Sequence, residues 1–452
     1  MRGLGVFVST ALLLLIAAKC LVVFQAGFLA DEAYYWLWSL NLAWGYFDQP
    51  PVIAWIIRAA SVVSQSEWAL RTPMLLAGFF APLVLRWGGM GELKWLHAWW
   101  LCLPALFWLT AFATPDALLL FFWTAGLACG FRGGRWWLAA GLFAGLATLS
   151  KYSGFALYPC LLLACNREER SQIWPWIGAA IFGLLGLPNI AWNIGNGWIA
   201  VTFQASEGFS GGQYGPLGGT FRYTAEQFLL LNPILAVAGC IWAVKVRPLK
   251  ASDRLTRFSW WTSVPLFLFF GVAALWGDAE AHWPAIGLVG LGTGLLSFSS
   301  TSRQWVGYGL ALGWAVQIGF SLHLLVPWIP FSADPGARFT EGRVLGKWAG
   351  KLARKYPDTP IVTERYQEAA LIQYYGDVPA YRMLDCGRDD QFSIWGKEFA
   401  SDILYVRPST GGQPTCFEKP FTVEGDMLDF QPLDPWRRPL GPWQALYIRG
   451  NP

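Results

Sequence analysis

The segment WWLAAGLFAGLATLSKYSGFALYPCLLLAC, residues 136–165, decides the fold of this chain. Both of its halves are apolar, and one cation, Lys151, sits between them in LSKYSG. Read as one bent helix, the segment crosses a membrane once. Read as two short arms meeting at Lys151, it is a hairpin that crosses twice. A span needs about 20 mainly apolar residues, fewer where neighbouring helices shield it. The choice matters because it inverts every loop downstream.

Working outward, further apolar stretches lie near 4–26, 68–87, 95–113, 117–131, 174–191, 228–244, 258–276, 284–299 and 304–327. With the hairpin counted as two, about eleven spans are expected. Basic residues favour cytoplasmic loops, which tests the threading. With the N-terminus inside, the cytoplasmic ends collect Arg2, Arg86, Lys94, Arg132, Arg135, Arg167, Arg170, Lys245, Arg247, Lys250, Arg254, Arg257 and Arg303. The outer ends collect only Arg58, Arg71, Lys151 and Arg222. A single span at 136–165 would put KVRPLKASDRLTR outside, against the rule. The hairpin reading is preferred. The first apolar run is read as a span, with a cleaved signal peptide ending near Ala30 as the alternative.

Composition agrees. Of 452 residues, 55% are hydrophobic and 14% charged, where soluble globular proteins carry about 25% charged residues. That excludes a disordered chain, a collagen-like fibre and a soluble enzyme. Residues 1–328 hold 18 basic and 13 acidic side chains, and residues 329–452 hold 15 and 16. Half the charge therefore lies in the last quarter. The expected organisation is a transmembrane domain at 1–328, with outer-face juxtamembrane helices at about 31–64, and a soluble domain at 329–452. The short apolar runs PIVTERY, DILYVR and QALYIRG alternate there with helix-like stretches such as 338–355, which predicts a small α/β domain on the outer face. The net charge of +4 includes no basic block suited to nucleic acid. Six cysteines lie in or beside apolar runs, and Cys386 and Cys416 in the polar tail are candidates for a disulfide.

The acids of the membrane part gather on one side. Asp31, Glu32, Asp48, Glu67, Asp116, Glu207, Glu226, Asp278 and Glu280 fall outside, whereas Glu92, Glu168, Glu169 and Asp253 fall inside. Carboxylates at membrane boundaries are costly unless solvated or paired, so they are functional candidates. Asp31 is placed to cap a helix at 32–43, whose aromatic residues Tyr34, Tyr35, Trp36 and Trp38 suit the headgroup zone. Asp48 lies in Tyr46-Phe47-Asp48-Gln49-Pro50-Pro51, where two prolines hold the turn rigid. Asp116 follows Pro115, an acidic first turn that the helix dipole favours. Lys151 is a lone cation near these acids, either snorkelling to the interface or binding phosphate. The glycine-rich stretch 208–219 reads as a linker or a mobile lid. His282, in AHWPA, starts an outer helix. The three histidines show no metal-ligand spacing. No cofactor is required by these motifs, although a divalent cation is left open. No GxxxxGK[ST] loop is present, which argues against an ATP-driven transporter.

The runs DEAYYWLWSLNLAWGYFDQPPVIAW, RTP at 71–73, TPDALLLFFW, GLATLSKYSG, PNIAWNIGNGWIAVTFQ and AHWP stand in the order found in bacterial GT-C glycosyltransferases. Over roughly 28–290 the chain resembles the protein O-mannosyltransferase-like group, which includes the aminoarabinose lipid A transferase and the Rhizobium lipopolysaccharide galacturonosyl transferases. A weaker echo continues in RYQEAALIQYYG and GRDDQFSIW, where Gln367, Tyr374 and Arg388 draw notice.

The resemblance implies a polytopic GT-C enzyme of the bacterial inner membrane, with a cytoplasmic N-terminus and a periplasmic C-terminal domain. Such an enzyme takes a sugar from a polyprenyl phosphate and passes it to a lipid A, lipopolysaccharide, other glycan or protein acceptor. The longest cytoplasmic loop, about a dozen residues, is too short for a nucleotide-sugar domain, which fits a lipid-borne donor. Asp31 is the implied general base, with Glu32 beside it and Asp116 as the second loop acid. Tyr34, Tyr46, Asp48, Gln49, Arg71, Lys151, Tyr152 and His282 are the implied substrate-binding residues, Lys151 being nearest the lipid phosphate. Asp48-Gln49 stands where the aminoarabinose enzyme has a Glu-Lys pair, a departure that removes a cation. A lipid or sugar transporter is the alternative; internal repeats would mark it, and none is found.

Overall fold

The computed structural model describes residues 2–209, 214–249, 253–277, 279–297, 300–329, 331, 334–384, 388–396, 402–409, 422–423, 428–436 and 440–449. Cys386, Cys416 and Asp278 lie outside these residues, as does the centre of the glycine-rich stretch. The chain divides into two compact units, one formed by Met1–Val23 with Ala43–Ser321, the other by Phe24–Leu42 with Leu322–Pro452.

The first unit is helical. Among the described residues, Glu67–Gly88, Ile173–Gly195 and Gln304–Leu325 are each long and apolar enough to cross a membrane, and two bent helix pairs would raise that number to five. The eleven expected spans are therefore not eleven straight helices. The stretch 95–113 divides into Leu93–Cys102 and Pro104–Leu109. Likewise 258–276 divides into Arg254–Trp261 and Val264–Ala273. Proline is tolerated in the first turn of a helix and disfavoured inside one, so Pro104 and Pro265 begin new helices. The stretch 228–244 is split as well: Gly215–Leu231 meets Pro233–Lys245 at a bend of 109°. Asn232 absorbs that bend at φ 58°. Part of the supposed glycine linker, from Gly215, is thus the start of a helix.

At 136–165 the chain turns back. Trp136–Ser150 ends at Lys151, a short 3-10 turn covers Tyr152–Ala156, and Leu157–Ala164 returns. The return is visible in contacts: Trp137 packs on Tyr158, and Trp137 Nε1 donates to Glu169 Oε1 at 3.1 Å. Glycine permits the turn, since a Cβ on Gly154 would lie 2.3 Å from the Ala147 backbone. One helix further, Gly141 and Gly178 cross backbone to backbone; a Cβ on Gly141 would lie 2.0 Å from the Gly178 carbonyl oxygen. Small residues at such crossings let membrane helices approach closely.

On the side carrying Arg132 and Arg135, the hairpin is tied down by an ion pair. Arg254 meets both oxygens of Glu169, at 2.5 and 2.7 Å, and donates to the carbonyls of Gly130 and Phe131. A two-pronged guanidinium–carboxylate pair fixes geometry as well as charge.

The second unit is α/β. Among the described residues, six strands, β1 Ile361–Thr363, β2 Ala380–Arg382, β3 Ile403–Pro408, β4 Thr422–Val423, β5 Leu428–Phe430 and β6 Trp443–Arg449, form one sheet in the order β2-β1-β3-β6-β4, with β5 also on β6. β1 pairs parallel with β2 and β3, whereas β6 runs antiparallel to β3. The helix Tyr366–Gly376 makes the β1–β2 crossover, as parallel pairing requires.

Phe24–Leu42 joins this unit, so Asp31 and Glu32 group with the C-terminal residues rather than with the membrane helices. The reason is packing. Gly27 N donates to Phe339 O at 2.9 Å, Phe28 N donates to the Tyr375 hydroxyl at 2.6 Å, and Phe28 and Trp36 both pack on the Tyr374 ring.

Candidate active site

In the first unit, three of the sequence candidates, Asp116, Lys151 and His282, meet at the Lys151 turn of the hairpin. Pro115–Arg132 begins with Pro115 in its first turn and Thr114 as N-cap, which places Asp116 at the helix start. Lys151 is held where Trp136–Ser150 stops, its amide donating to Ala147 O. Lys151 Nζ lies 2.7 Å from Asp116 Oδ1, and both side chains are nearly buried. His282 Nε2 stands 3.9 Å from Asp116 Oδ2. Residues 279–281 are positioned by Gly215–Leu231: Arg222 donates to Ala279 O and Gln227 to Ala281 O.

Electrostatics here follow from burial and proximity. Burial by itself would raise the Asp116 carboxyl, but the charges of Lys151 and then His282 outweigh it and hold it below the usual carboxylate range. His282 is pushed down to about 4, first by burial and then by Lys151, with Asp116 opposing. At neutral pH the cluster is thus a lysine–aspartate ion pair beside a neutral imidazole. An ammonium has three N–H donors, and Asp116 engages one of them.

The other groups of Lys151's neighbourhood form a cavity of about 260 Å³ lined by Lys151, Tyr152, Ser153, Gln204, Phe269 and Trp283, among others. Ser153 Oγ is buried and has no hydrogen-bond partner among the described residues. The Tyr152 hydroxyl accepts from Asn193 Nδ2 at 3.2 Å, and Asn189, one turn earlier, donates to Trp44 O at 2.7 Å. Gln204 Nε2 donates to Asp48 O at 2.7 Å. So the PNIAWN and TFQ runs brace both the cavity and the 43–49 turn. In that turn, Tyr46 is buried, its amide donating to Gln49 O and its hydroxyl accepting from Ala43 N. The Gln49 side-chain oxygen is buried without a partner among the described residues. Arg71 is wholly buried, donates to Val23 O at 3.1 Å and lies over the Phe112 ring.

In the second unit, the helix around Asp31 begins two residues earlier than the capping expectation. Leu29, not Asp31, is the N-cap of Ala30–Leu40. Glu32 takes over the capping work: it is fully buried, and its Oε2 accepts from Leu29 N at 2.9 Å. A carboxylate at the third helical position reaches back to the cap amide, which explains the shift. Asp31 lies in the first turn, with Oδ1 3.5 Å from the Tyr366 hydroxyl. Tyr34 is buried, packs on Tyr366 at 4.2 Å, and its hydroxyl accepts from Gln391 N at 2.7 Å.

Ser153, Gln204, Asn189 and Asn193 were missed as candidates in the sequence, although all four lie in quoted motif runs. Their common signal is a polar side chain in an otherwise apolar helix or turn. Among the described residues, no group of three or more His, Cys, Asp or Glu side chains could hold a metal ion.

Comparison with known proteins gives three likenesses. Residues 48–192 match the family model described as dolichyl-phosphate-mannose-protein mannosyltransferase. Over 278 residues, 57% of this chain and 57% of the relative, the sequence is 32% identical to the lipid A galacturonosyltransferase RgtD of Rhizobium johnstonii. The chain therefore spans little more than half the length of the curated relative it matches. In fold, the chain is similar to the crystal structure of ArnT from Cupriavidus metallidurans bound to undecaprenyl phosphate, with a TM-score of 0.59 and 14% identity over 98% of each chain. These findings bear out the resemblance read from the motifs: the chain is similar to the GT-C membrane glycosyltransferases.

Proposed function

We propose that the protein is an inverting glycosyltransferase of the bacterial inner membrane that moves a sugar from a polyprenyl-phosphate donor to an acceptor on the outer face. The acceptor class favoured is lipid A or lipopolysaccharide, since the curated relative is a lipid A galacturonosyltransferase, and the lipid-borne donor is supported by the undecaprenyl phosphate held in the structure of similar fold. On this reading the N-terminus is cytoplasmic and residues 329–452 are periplasmic.

The observation that carries the proposal is the cavity at Lys151. Its polar wall offers an ammonium with two remaining N–H donors, the unpartnered Ser153 hydroxyl and the Tyr152 side chain, while Phe269, Phe270 and Trp283 supply an apolar wall. A phosphate joined to an isoprenoid chain has that division of polarity. Oriented donors of this kind stabilise charge that grows on a departing phosphate.

In the displacement, an acceptor oxygen attacks the anomeric carbon, the bond from that carbon to the phosphate oxygen breaks, and polyprenyl phosphate leaves as an anion. The acceptor proton passes to a carboxylate acting as general base, the role assigned to Asp31. The leaving anion is stable and needs no strong general acid.

The test is a transfer assay in membrane vesicles supplied with a polyprenyl-phosphate sugar and lipid A, with products read by mass spectrometry. Sugar-modified lipid A in the wild type, and its loss in Lys151→Met, is the expected result. Undiminished transfer by Asp31→Asn would remove the general-base role. Movement of the donor lipid across the bilayer with no transfer product would overturn the enzyme reading.

A further inference from the structure

The second unit places an arginine beside Asp31 through an intermediate tyrosine. The Tyr366 hydroxyl lies 3.5 Å from Asp31 Oδ1 and accepts from Arg388 NH2 at 3.2 Å. The Arg388 guanidinium also lies over the Tyr366 ring, 5.2 Å from its centroid. The ring is itself fixed by Tyr34 beneath it, at 4.2 Å. The Asp31–Tyr366 separation is long for a hydrogen bond, as such contacts often are before substrate arrives.

The backbone that carries Arg388 is held with unusual firmness for an exposed side chain. Arg382, 2% exposed, donates to Arg388 O at 2.5 Å and to Ser393 Oγ at 3.2 Å. It also pairs with Asp390 across 3.1 Å, and Asp390 is fully buried. Asp390 in turn caps Gln391–Trp395 by accepting from Phe392 N. Burying an arginine–aspartate pair costs desolvation that its attraction repays only in good geometry, so such pairs are poor general stabilisers. Here the pair sets the position of one main-chain carbonyl, and with it the root of Arg388.

We propose that Arg388, laid on Tyr366 and linked through its hydroxyl to Asp31, receives an oxyanion of a substrate, carboxylate or phosphate, beside the Asp31 carboxylate. Two carboxylates, or a carboxylate and a phosphate, repel at close range unless a cation stands between them. A planar guanidinium matches either oxyanion with paired N–H donors. This inference rests on the reading of Asp31 as a working group of the transferase. Two sources supply the anion: the carboxylate of a uronic acid on the donor, or a phosphate on the acceptor.

The experiment uses the full-length protein in vesicles with four substrate pairs: polyprenyl-phosphate galacturonate or galactose, each with lipid A that retains or has lost its phosphates. With Arg388→Gln, KM is expected to rise at least tenfold for the anion-bearing substrate alone while kcat changes less than threefold. Arg388→Lys should recover part of the loss. A rise confined to galacturonate assigns the donor carboxylate, and one confined to phosphorylated lipid A assigns the acceptor phosphate. Equal loss on charged and neutral substrates, or an unchanged KM on all four, overturns the proposal. Asp31→Asn measured in parallel separates the two claims: if it is inert, the base assignment fails, yet the charge-selective KM shift still decides the role of Arg388.

Discussion

Lys151 Nζ lies 2.7 Å from Asp116 Oδ1, joining two groups 35 positions apart at the turn of the hairpin. The pair is shielded on all but about a tenth of each side chain, so neither partner is replaceable by water without cost.

Removing one member leaves the other charged and desolvated. Lys151→Met or Asp116→Asn should destabilise the protein by about 3–5 kcal/mol, the usual cost of breaking a buried pair. The double variant should lose less than the sum of the singles. Thermal unfolding of detergent-solubilised protein checks both. Additive losses would show that the pair does not couple.

A pH dependence follows from His282. Its folded-state value of about 4 lies below the ordinary 6.5 or so. Between those values the unfolded chain binds the proton and the folded chain does not. Stability should therefore rise with pH across that window and flatten above about 6.5. A third of the imidazole is open to solvent, which screens the effect, so the slope is modest. His282→Asn should flatten it. Asp116, held low, adds stability that is present above the unfolded carboxylate range and lost only in stronger acid. Melting temperatures from pH 4 to 8 for wild type and His282→Asn measure the difference.

The Glu169–Arg254 tie offers a comparison far from the chemistry. Glu169→Gln keeps shape but removes the charge from a carboxylate that Arg254 and Trp137 both address. The expected outcome is a fall in melting temperature of several degrees with transfer activity per folded molecule unchanged. A loss of kcat at constant stability would contradict that separation.

Gly154→Ala should damage the turn that presents Lys151. A methyl group there meets Ala147 backbone at 2.3 Å, which cannot move as a side chain does. Overpacking of this kind costs about 1–3 kcal/mol or more, and here it also displaces the ammonium. Transfer activity should fall more than stability predicts. Activity and melting temperature, measured together, test this.

The hairpin at 136–165 was legible because two signals agreed: a cation between apolar arms, and the sidedness of basic residues downstream. Asp116, Lys151 and His282 were each singled out because the same threading set them on one side, and the structure brings them together. The helix breaks at Leu103, Asn232 and Ser263 were not, since hydropathy averages over a kink and neighbouring helices stabilise what an isolated segment would not. Nor was the partner of Asp31. Tyr366 lies 335 positions away, and nothing in the local aromatic pattern of 30–40 reveals which distant helix it will meet. The cap assignment failed by two residues because Glu32 competes with Asp31 for the helix start, a contest settled by which carboxylate reaches the Leu29 amide.

The crossing of Gly141 and Gly178 has a mechanical meaning. Where two backbones touch with no side chain between them, neither helix can slide, roll or lean without collision. That contact joins the helix ending at Lys151 to the helix bearing Asn189 and Asn193. The support behind the Lys151 turn is therefore an anvil rather than a jaw. The Val264–Ala273 helix, which also lines the cavity, is checked in the same way at its end, where a Cβ on Gly219 would lie 2.3 Å from the Ala274 carbonyl oxygen.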